Sequence, residues 1–205
     1  MTDTERPRLW LVRHGETEWS AGHKHTGRTN LPLTARGRAQ ARALGRGLAR
    51  LGVHFDQAFT SPLDRARETA QLAGFDTARV MDELREWDYG RYEGRRTLDI
   101  RREEDNPDWL IWRAAIRDGE SPAAVGRRAD EARDRLLAAG GDNVIVFAHG
   151  HFLRMFAARW IGLPARAGQY LALSTGTVSI LGYEHEYRVI EQWNARLETG
   201  DRDAS

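Results

Sequence analysis

The chain predicts an α/β fold, a three-layer α/β/α sandwich around a mixed, mainly parallel sheet. Two apolar runs, Leu9-Trp10-Leu11-Val12 and Val144-Ile145-Val146-Phe147-Ala148, each close in a polar, glycine-containing turn. Such runs read as buried strands that deliver a loop to a sheet edge. Between them, stretches at helical spacing alternate with short strand-like runs, the pattern of a parallel sheet with helices on both faces. The chain has 205 residues, enough to bury about 70% of its unfolded surface in one core, and one domain over 1–205 is expected.

The elements follow in order. After the first strand, Thr34 is placed to cap a helix whose Ala41, Leu44, Leu48 and Leu51 share one face, with Gly52 closing it. Ala58-Phe59-Thr60 reads as a short strand. Ser61-Pro62 then reads as the start of a helix through Leu72, with Ser as cap and Pro at the tolerated first position. Val80 to Gly94 looks irregular and rich in aromatics, carboxylates and glycine, the composition of a binding rim. A polar helix over Thr97–Glu104 is broken at Asn106-Pro107. Trp109 to Ile116 predicts a short covering helix. Ser121-Pro122 opens another, with Val125, Ala129, Ala132 and Leu136 inward and Gly140-Gly141 at its end. The strand to Ala148 and a helix over 152–161 follow. Tyr170–Leu173, Thr177–Tyr183 and Tyr187–Trp193 read as closing strands, and Gly200–Ser205 as a frayed polar tail.

Composition excludes several classes. There is no cysteine, hence no disulfide, thiolate metal site or thiol nucleophile. With Met1–Arg8 polar rather than a signal segment, this fits a cytoplasmic location. No run reaches the roughly 20 apolar residues that span a membrane. Lys plus Arg number 31 against 30 Asp plus Glu, so no nucleic-acid partner is indicated. His149-Gly150-His151 and His23-Lys24-His25 lack the carboxylate context of a metal site. No metal or other cofactor is expected. The late strands leave ends able to pair in a homodimer, which nothing in the sequence requires.

Both long strands end in a His-Gly pair, at His14-Gly15 and His149-Gly150. Ligands collect at the carboxyl ends of strands in open α/β sheets, so two parallel strands would bring these imidazoles into one crevice. Gly150 allows close backbone approach to a ligand. A phosphoryl-transfer site needs a nucleophile, cationic clamps and an acid for the leaving oxygen. His14 can attack phosphorus as neutral imidazole, provided a hydrogen bond holds one ring nitrogen so that the other points at the substrate. Arg13 and Arg65 are the clamps, while Arg67, two residues on, faces elsewhere. A cationic His149 would be a further donor. Glu86 is the preferred acid over Glu16 and Glu83, since Trp87 and Tyr89 beside it favour its protonated form by desolvation. An acidic to near-neutral optimum follows if Glu86 is protonated and His149 cationic. Leaving-group recognition would fall to Trp19, His23, Trp87, Tyr89, Trp109 and Trp112.

The motif Leu11-Val12-Arg13-His14-Gly15-Glu16-Thr17 resembles the signature of the histidine phosphatase superfamily, in its phosphoglycerate-mutase-like branch. The resemblance continues through Thr26-Gly27, Leu33-Thr34-Ala35-Arg36-Gly37, Ser61-Pro62-Leu63-Asp64-Arg65, Glu83 to Gly94, Gly119-Glu120-Ser121 and Ala148-His149-Gly150, covering nearly the whole chain. It implies that His14 is phosphorylated, that Arg13, Arg65 and His149 hold the phosphoryl group, and that Glu86 is the acid. It further implies substrate contacts at Thr26, Gly27 and Tyr89. Mutases of the family usually carry Asn where Ser20 stands here. They also have a Lys and an Arg pair after the acid loop, where this chain offers only Arg113. Ser20 and Arg113 are therefore taken as the counterparts at the substrate. The acid-loop stretch is more similar to acid phosphatases and sedoheptulose bisphosphatase-like members. The expected activity is a metal-independent phosphomonoesterase on a small phosphorylated metabolite. The alternatives are a cofactor-dependent mutase and a non-catalytic phospho-ligand module.

Overall fold

The structure is a computed structural model and describes residues 6–197. The tail Gly200–Ser205 and the first five residues of the polar N-terminus lie outside them. Among the described residues one sheet of six strands runs β3-β2-β4-β1-β5-β6. These are β1 (Arg8–Arg13), β2 (Gln57–Thr60), β3 (Arg79–Val80), β4 (Asn143–Ala148), β5 (Val178–Glu184) and β6 (Tyr187–Ala195). The first four pair in parallel, and β5 and β6 add antiparallel to β1. The helices are α1 (Glu18–Ala21), α2 (Ala35–Leu51), α3 (Asp64–Leu72), α4 (Thr97–Glu103), α5 (Pro122–Ala138) and α6 (Gly150–Trp160). None is long and apolar enough to cross a membrane.

Strand alternation builds two cores. Trp10, Val12, Ile145 and Phe147 pack with Leu44, Leu48, Ala70 and Ala73 of the α2–α3 side. Leu9, Leu11, Val144 and Val146 face the opposite way, against Val125, Ala129 and Leu136 of α5 and Phe152 and Phe156 of α6. A period of two along each strand does this without further instruction. The chain therefore leaves β1 toward one face and β4 toward the other. The crevice between their carboxyl ends is the switch point at which such sheets hold ligands.

Local signals explain most boundaries. Thr34 Oγ1 accepts from Gly37 N at 3.0 Å, and Gly52 takes the left-handed conformation (φ 65°) that ends α2. Ser121 caps α5 with Pro122 inside the first turn. Gly15 packs against Gly37, where a Cβ would meet the Gly37 carbonyl oxygen at 2.3 Å, so the loop after β1 lies flat on α2.

Four expectations need correction. Leu51 is exposed, because it is the last residue of α2 and the buried face ends at Leu48. α3 starts at Asp64, not at Ser61-Pro62. Asn30 Oδ1 accepts from Asp64 N at 2.9 Å, while the Ser61 hydroxyl is engaged with His149. Residues 109–116 are turns rather than a helix. Trp109, Ile111 and Trp112 all bury, at a spacing that no single helical face supplies. Tyr170–Leu173 is no strand, since a 3-10 turn over Ala165–Tyr170 packs there on α6.

Candidate active site

His14 follows β1 and His149 follows β4, with ring centroids 5.2 Å apart. Parallel register sets this distance: Arg13 pairs with Ala148, and His14 N donates to Ala148 O at 3.0 Å. His14 Nδ1–H donates to the Gly15 carbonyl at 2.7 Å, which leaves Nε2 with its lone pair. Burial, then the nearby Arg65 and Arg13, hold His14 well below the ordinary imidazole range. The ring is thus neutral, the form a nucleophile needs.

Arg65 is fully buried on α3. Its Nη1 donates to Thr29 O (2.9 Å) and its Nη2 to Thr26 O (3.1 Å) and Gly27 O (2.9 Å), while Nε donates to His149 Nδ1 at 3.2 Å. That last bond fixes the tautomer of His149, whose Nε2–H donates to Ser61 Oγ at 2.7 Å. Burial and Arg65 push His149 well below its ordinary range, so it is neutral rather than the cation anticipated. Arg13 donates through Nη1 to the Leu173 carbonyl, and its buried Nε has no partner. A Cβ at Gly150 would sit 3.0 Å from Arg13 Cζ, so only glycine lets this guanidinium lie over the start of α6.

Glu86 closes the group. Its carboxylate accepts from Trp87 N (2.9 Å), His151 N (3.0 Å) and Phe152 N (2.8 Å). The last two donors are unpaired amides at the N-terminus of α6, a place that favours an anion. The loop around Glu86 is thereby fastened beside His149. Of its competitors, Glu16 contacts Thr34 and Arg36, and Glu83 is bound by Arg135.

One cavity of about 260 Å³ is lined by Arg13, His14, Ser20, Thr26, Glu86, Tyr89 and Gly150 among others. Gly27 stands apart, because its N–H is taken by both oxygens of Glu93 (3.0 and 2.9 Å) and its carbonyl by Arg65. Both of its backbone groups thus have partners within the protein. Arg113 also departs from expectation. Trp112 turns inward as a cavity wall, and Arg113 is exposed in a separate cavity on the far side of it. Of the aromatic candidates, His23, Tyr89 and Trp112 reach the cavity. Trp87 is buried beneath it, with Nε1–H on Glu120 O at 2.7 Å; Trp109 packs on Tyr92; Trp19 packs beneath Lys24.

Several participants escaped the sequence. Ser61, a helix cap by sequence, instead accepts from His149 Nε2–H. Thr69 Oγ1 accepts from Gly15 N (3.0 Å) and donates to Arg65 O (2.6 Å), tying the loop after β1 to α3. Its position one turn after Arg65 was the available signal. His25 and His151 line the cavity with Tyr89, whose hydroxyl shares a 2.5 Å hydrogen bond with His151 Nδ1. Burial first, then Glu86 and Glu93, push Tyr89 well above the phenol range, so it stays protonated.

The geometry is matched by comparison with known proteins. The family model for the histidine phosphatase superfamily (branch 1) matches residues 9–196. An acid phosphatase of Mycobacterium tuberculosis is 43% identical over 182 residues, which is 88% of this chain and 89% of that protein. A sedoheptulose 1,7-bisphosphatase of Saccharomyces cerevisiae is 37% identical over 186 residues, 77% of this chain and 68% of that protein. The solved structure of an open reading frame from Mycobacterium tuberculosis superposes with a TM-score of 0.86 at 40% identity, covering 94% of this chain and 99% of that one. The chain belongs to the histidine phosphatase superfamily, branch 1, and is a phosphatase of that family for phosphorylated small molecules.

Proposed function

We propose that the chain hydrolyses phosphate monoesters through a phosphohistidine on His14, with no metal required. The observation that carries this reading is the neutral His14 ring, locked by its Nδ1–H bond to Gly15 O at 2.7 Å and set between Arg13, Arg65 and His149. The guanidinium of Arg13, with its unpartnered Nε–H, supplies donors to the phosphoryl oxygens, and Arg65 adds positive charge behind them. These groups supply the charge stabilisation that a metal gives in other phosphatases.

In the first step His14 Nε2 attacks phosphorus and the P–O bond to the leaving group breaks. The leaving oxygen takes the proton of Glu86. In the second, water gives a proton to Glu86 as its oxygen attacks phosphorus, the P–N bond breaks, and phosphate leaves with His14 restored. His149 donates Nε2–H, for which an arriving phosphoryl oxygen competes with Ser61. The substrate is a small phosphorylated metabolite, a sugar phosphate or similar, which the names of the two relatives support. The placement of Arg113 outside the cavity weighs against a mutase, which must hold a second anion through steps of phosphoryl retention.

The test is phosphate release from p-nitrophenyl phosphate at pH 5 to 8 with EDTA present. Turnover is expected to persist in EDTA and to fall by at least about 10³-fold in His14→Ala, the scale of losing a covalent nucleophile. Acid-quenched wild-type protein should carry label from a ³²P ester on His14. Wild-type rates in the variant would overturn the assignment.

A further inference from the structure

Of the motifs read from the sequence, Gly119-Glu120-Ser121 lines no part of the cavity that holds His14. Ser121 caps α5, and Gly119 lets two loops touch, since a Cβ there would meet the Asp88 carbonyl oxygen at 2.5 Å. Glu120 is left, and Arg128 of α5 grips it by two prongs, Nε to Oε1 at 2.9 Å and Nη2 to Oε2 at 2.6 Å. Both side chains are largely enclosed. Such a pair is weak evidence of stability, because desolvation offsets much of its attraction. What the pair holds is the better guide to its use.

It holds the acid loop. Residues 85–89 form no regular element, so their backbone groups must find partners elsewhere. Arg128 Nη1 donates to Glu83 O (2.9 Å) and Arg85 O (2.6 Å), and Nη2 to Glu86 O (3.3 Å). With the two bonds to Glu120, all five N–H groups of the guanidinium are engaged, three of them on carbonyls around the acid. Glu120 takes the following residues. Its Oε2 accepts from Asp88 N at 3.0 Å and its carbonyl from Trp87 Nε1–H at 2.7 Å, while its own N–H donates to Asp88 O at 3.0 Å. The guanidinium also lies 5.0 Å from the centre of the Phe152 ring, and Phe152 N–H is a donor to Glu86 Oε1. The main chain of Glu86 and its carboxylate are thus fixed by two residues that pack on each other.

We infer that Arg128 and Glu120 are positioning residues, which set Glu86 at the distance needed to protonate the leaving oxygen without themselves touching substrate. The inference rests on the phosphatase reading above and adds two residues to its machinery. Proton transfer depends on reach, and about 1 Å of misplacement costs on the order of 10²-fold. That cost varies with the substrate. A nitrophenolate departs with little need of a proton, whereas a sugar alkoxide departs only with one. Loss of the pair is therefore felt in proportion to the basicity of the leaving oxygen, which a loss of general stability would not reproduce.

The experiment compares kcat/KM for p-nitrophenyl phosphate, phenyl phosphate and a hexose monophosphate, whose leaving oxygens rise in basicity in that order. The proteins are wild type, Glu86→Gln, Arg128→Met and Arg128→Lys. Glu86→Gln sets the full dependence on the leaving group. Arg128→Met should lower the hexose ester about 10²-fold and p-nitrophenyl phosphate by no more than about threefold, with phenyl phosphate between. Arg128→Lys keeps the cation but loses the planar fork that spans three carbonyls, so it should follow Arg128→Met. Equal losses across the three esters would mean that the pair only supports the fold, and would overturn the inference. So would wild-type rates in Arg128→Lys. If Arg128→Met does not fold because it strands the Glu120 charge, Arg128→Lys and the double variant Arg128→Met/Glu120→Gln are read by the same ratio. Turnover that survives His14→Ala overturns the phosphatase reading itself. With that reading upheld, a Glu86→Gln loss that is equal for all three esters overturns the acid role of Glu86 and the positioning inference with it.

Discussion

The two ends of the cavity are built by different means. At the phosphoryl end, Arg13, His14 and His149 sit at the carboxyl ends of two paired parallel strands, and Arg65 is clamped by three loop carbonyls and a histidine. At the leaving-group end, Lys24, Tyr89, Ile111 and Trp112 come from loops between short helices and turns, with Lys24 bridged to Arg96 and with Tyr89 and Trp112 packed on His151. Reacting groups must be held to a fraction of an ångström, and a strand end does that at little cost. A specificity wall tolerates change, and loops supply it. One scaffold can therefore keep one reaction while its loops select different leaving groups.

The sharpest way to break this division is Arg65→Gln. The change removes a buried charge that touches Thr26, Thr29, Gly27 and His149 at once. We expect kcat/KM to fall about 10³-fold, the scale of losing a preorganised charge at the transition state. The loss should be the same for every ester, because all share the phosphoryl group. A loss that depends on the leaving group would show that the two ends are not separable.

Buried histidines occur at both ends, and acid should find them. His14 and His149 at one end, and His151 at the other, are all held well below the ordinary imidazole range by burial. His25 is lowered to about 4, again by burial. The unfolded chain takes these protons near pH 6.5, before the folded chain does. Their contribution is therefore intact above pH 6.5 and is lost as pH falls from 6.5 toward the folded value. For His25 that window ends near pH 4, and the loss amounts to about 3 kcal/mol. Urea midpoints measured from pH 7.5 to 4 should fall steadily in wild type. His25→Gln should flatten the decline by about that amount, whatever it does to stability at pH 7.5. An unchanged slope would mean that His25 is protonated within the fold.

What the sequence made legible follows the same division. Strand runs, their His-Gly ends, the Thr34 and Ser121 caps and the inward faces of α2 and α5 are local patterns with a fixed period, and the structure repeats them. Arg13, His14, Arg65 and His149 come together because each hangs on such an element, while Glu86 is added by a loop fastened to the start of α6. Arg113 and Gly27 were misplaced because loop geometry depends on contacts distant in sequence. Trp112 forms the cavity wall, which leaves Arg113 turned outward, and Glu93, 66 residues away, takes the Gly27 amide. The charge state of His149 was missed for a related reason. Only the fold reveals that Arg65 reaches its Nδ1.

Ser61 gives the finest comparison, because it lies where a strand end passes into a loop. The Ser-Pro pair looks like a helix cap, yet the N-cap position of α3 falls on Leu63, whose side chain makes no capping bond. Ser61 Oγ accepts from Leu63 N at 3.3 Å and, far more closely, from His149 Nε2–H at 2.7 Å. If its work is to hold His149, Ser61→Ala should lower kcat about tenfold, the worth of one buried hydrogen bond, with α3 intact by circular dichroism. KM for p-nitrophenyl phosphate should change little, since Arg13 and Arg65 carry the ground-state charge. Ser61→Thr, which keeps the hydroxyl, should recover most of the rate. If its work were capping, the variant would instead lose stability with kcat preserved. The hydroxyl cannot serve both ends of that choice equally, because one of its two bonds is 0.6 Å longer than the other.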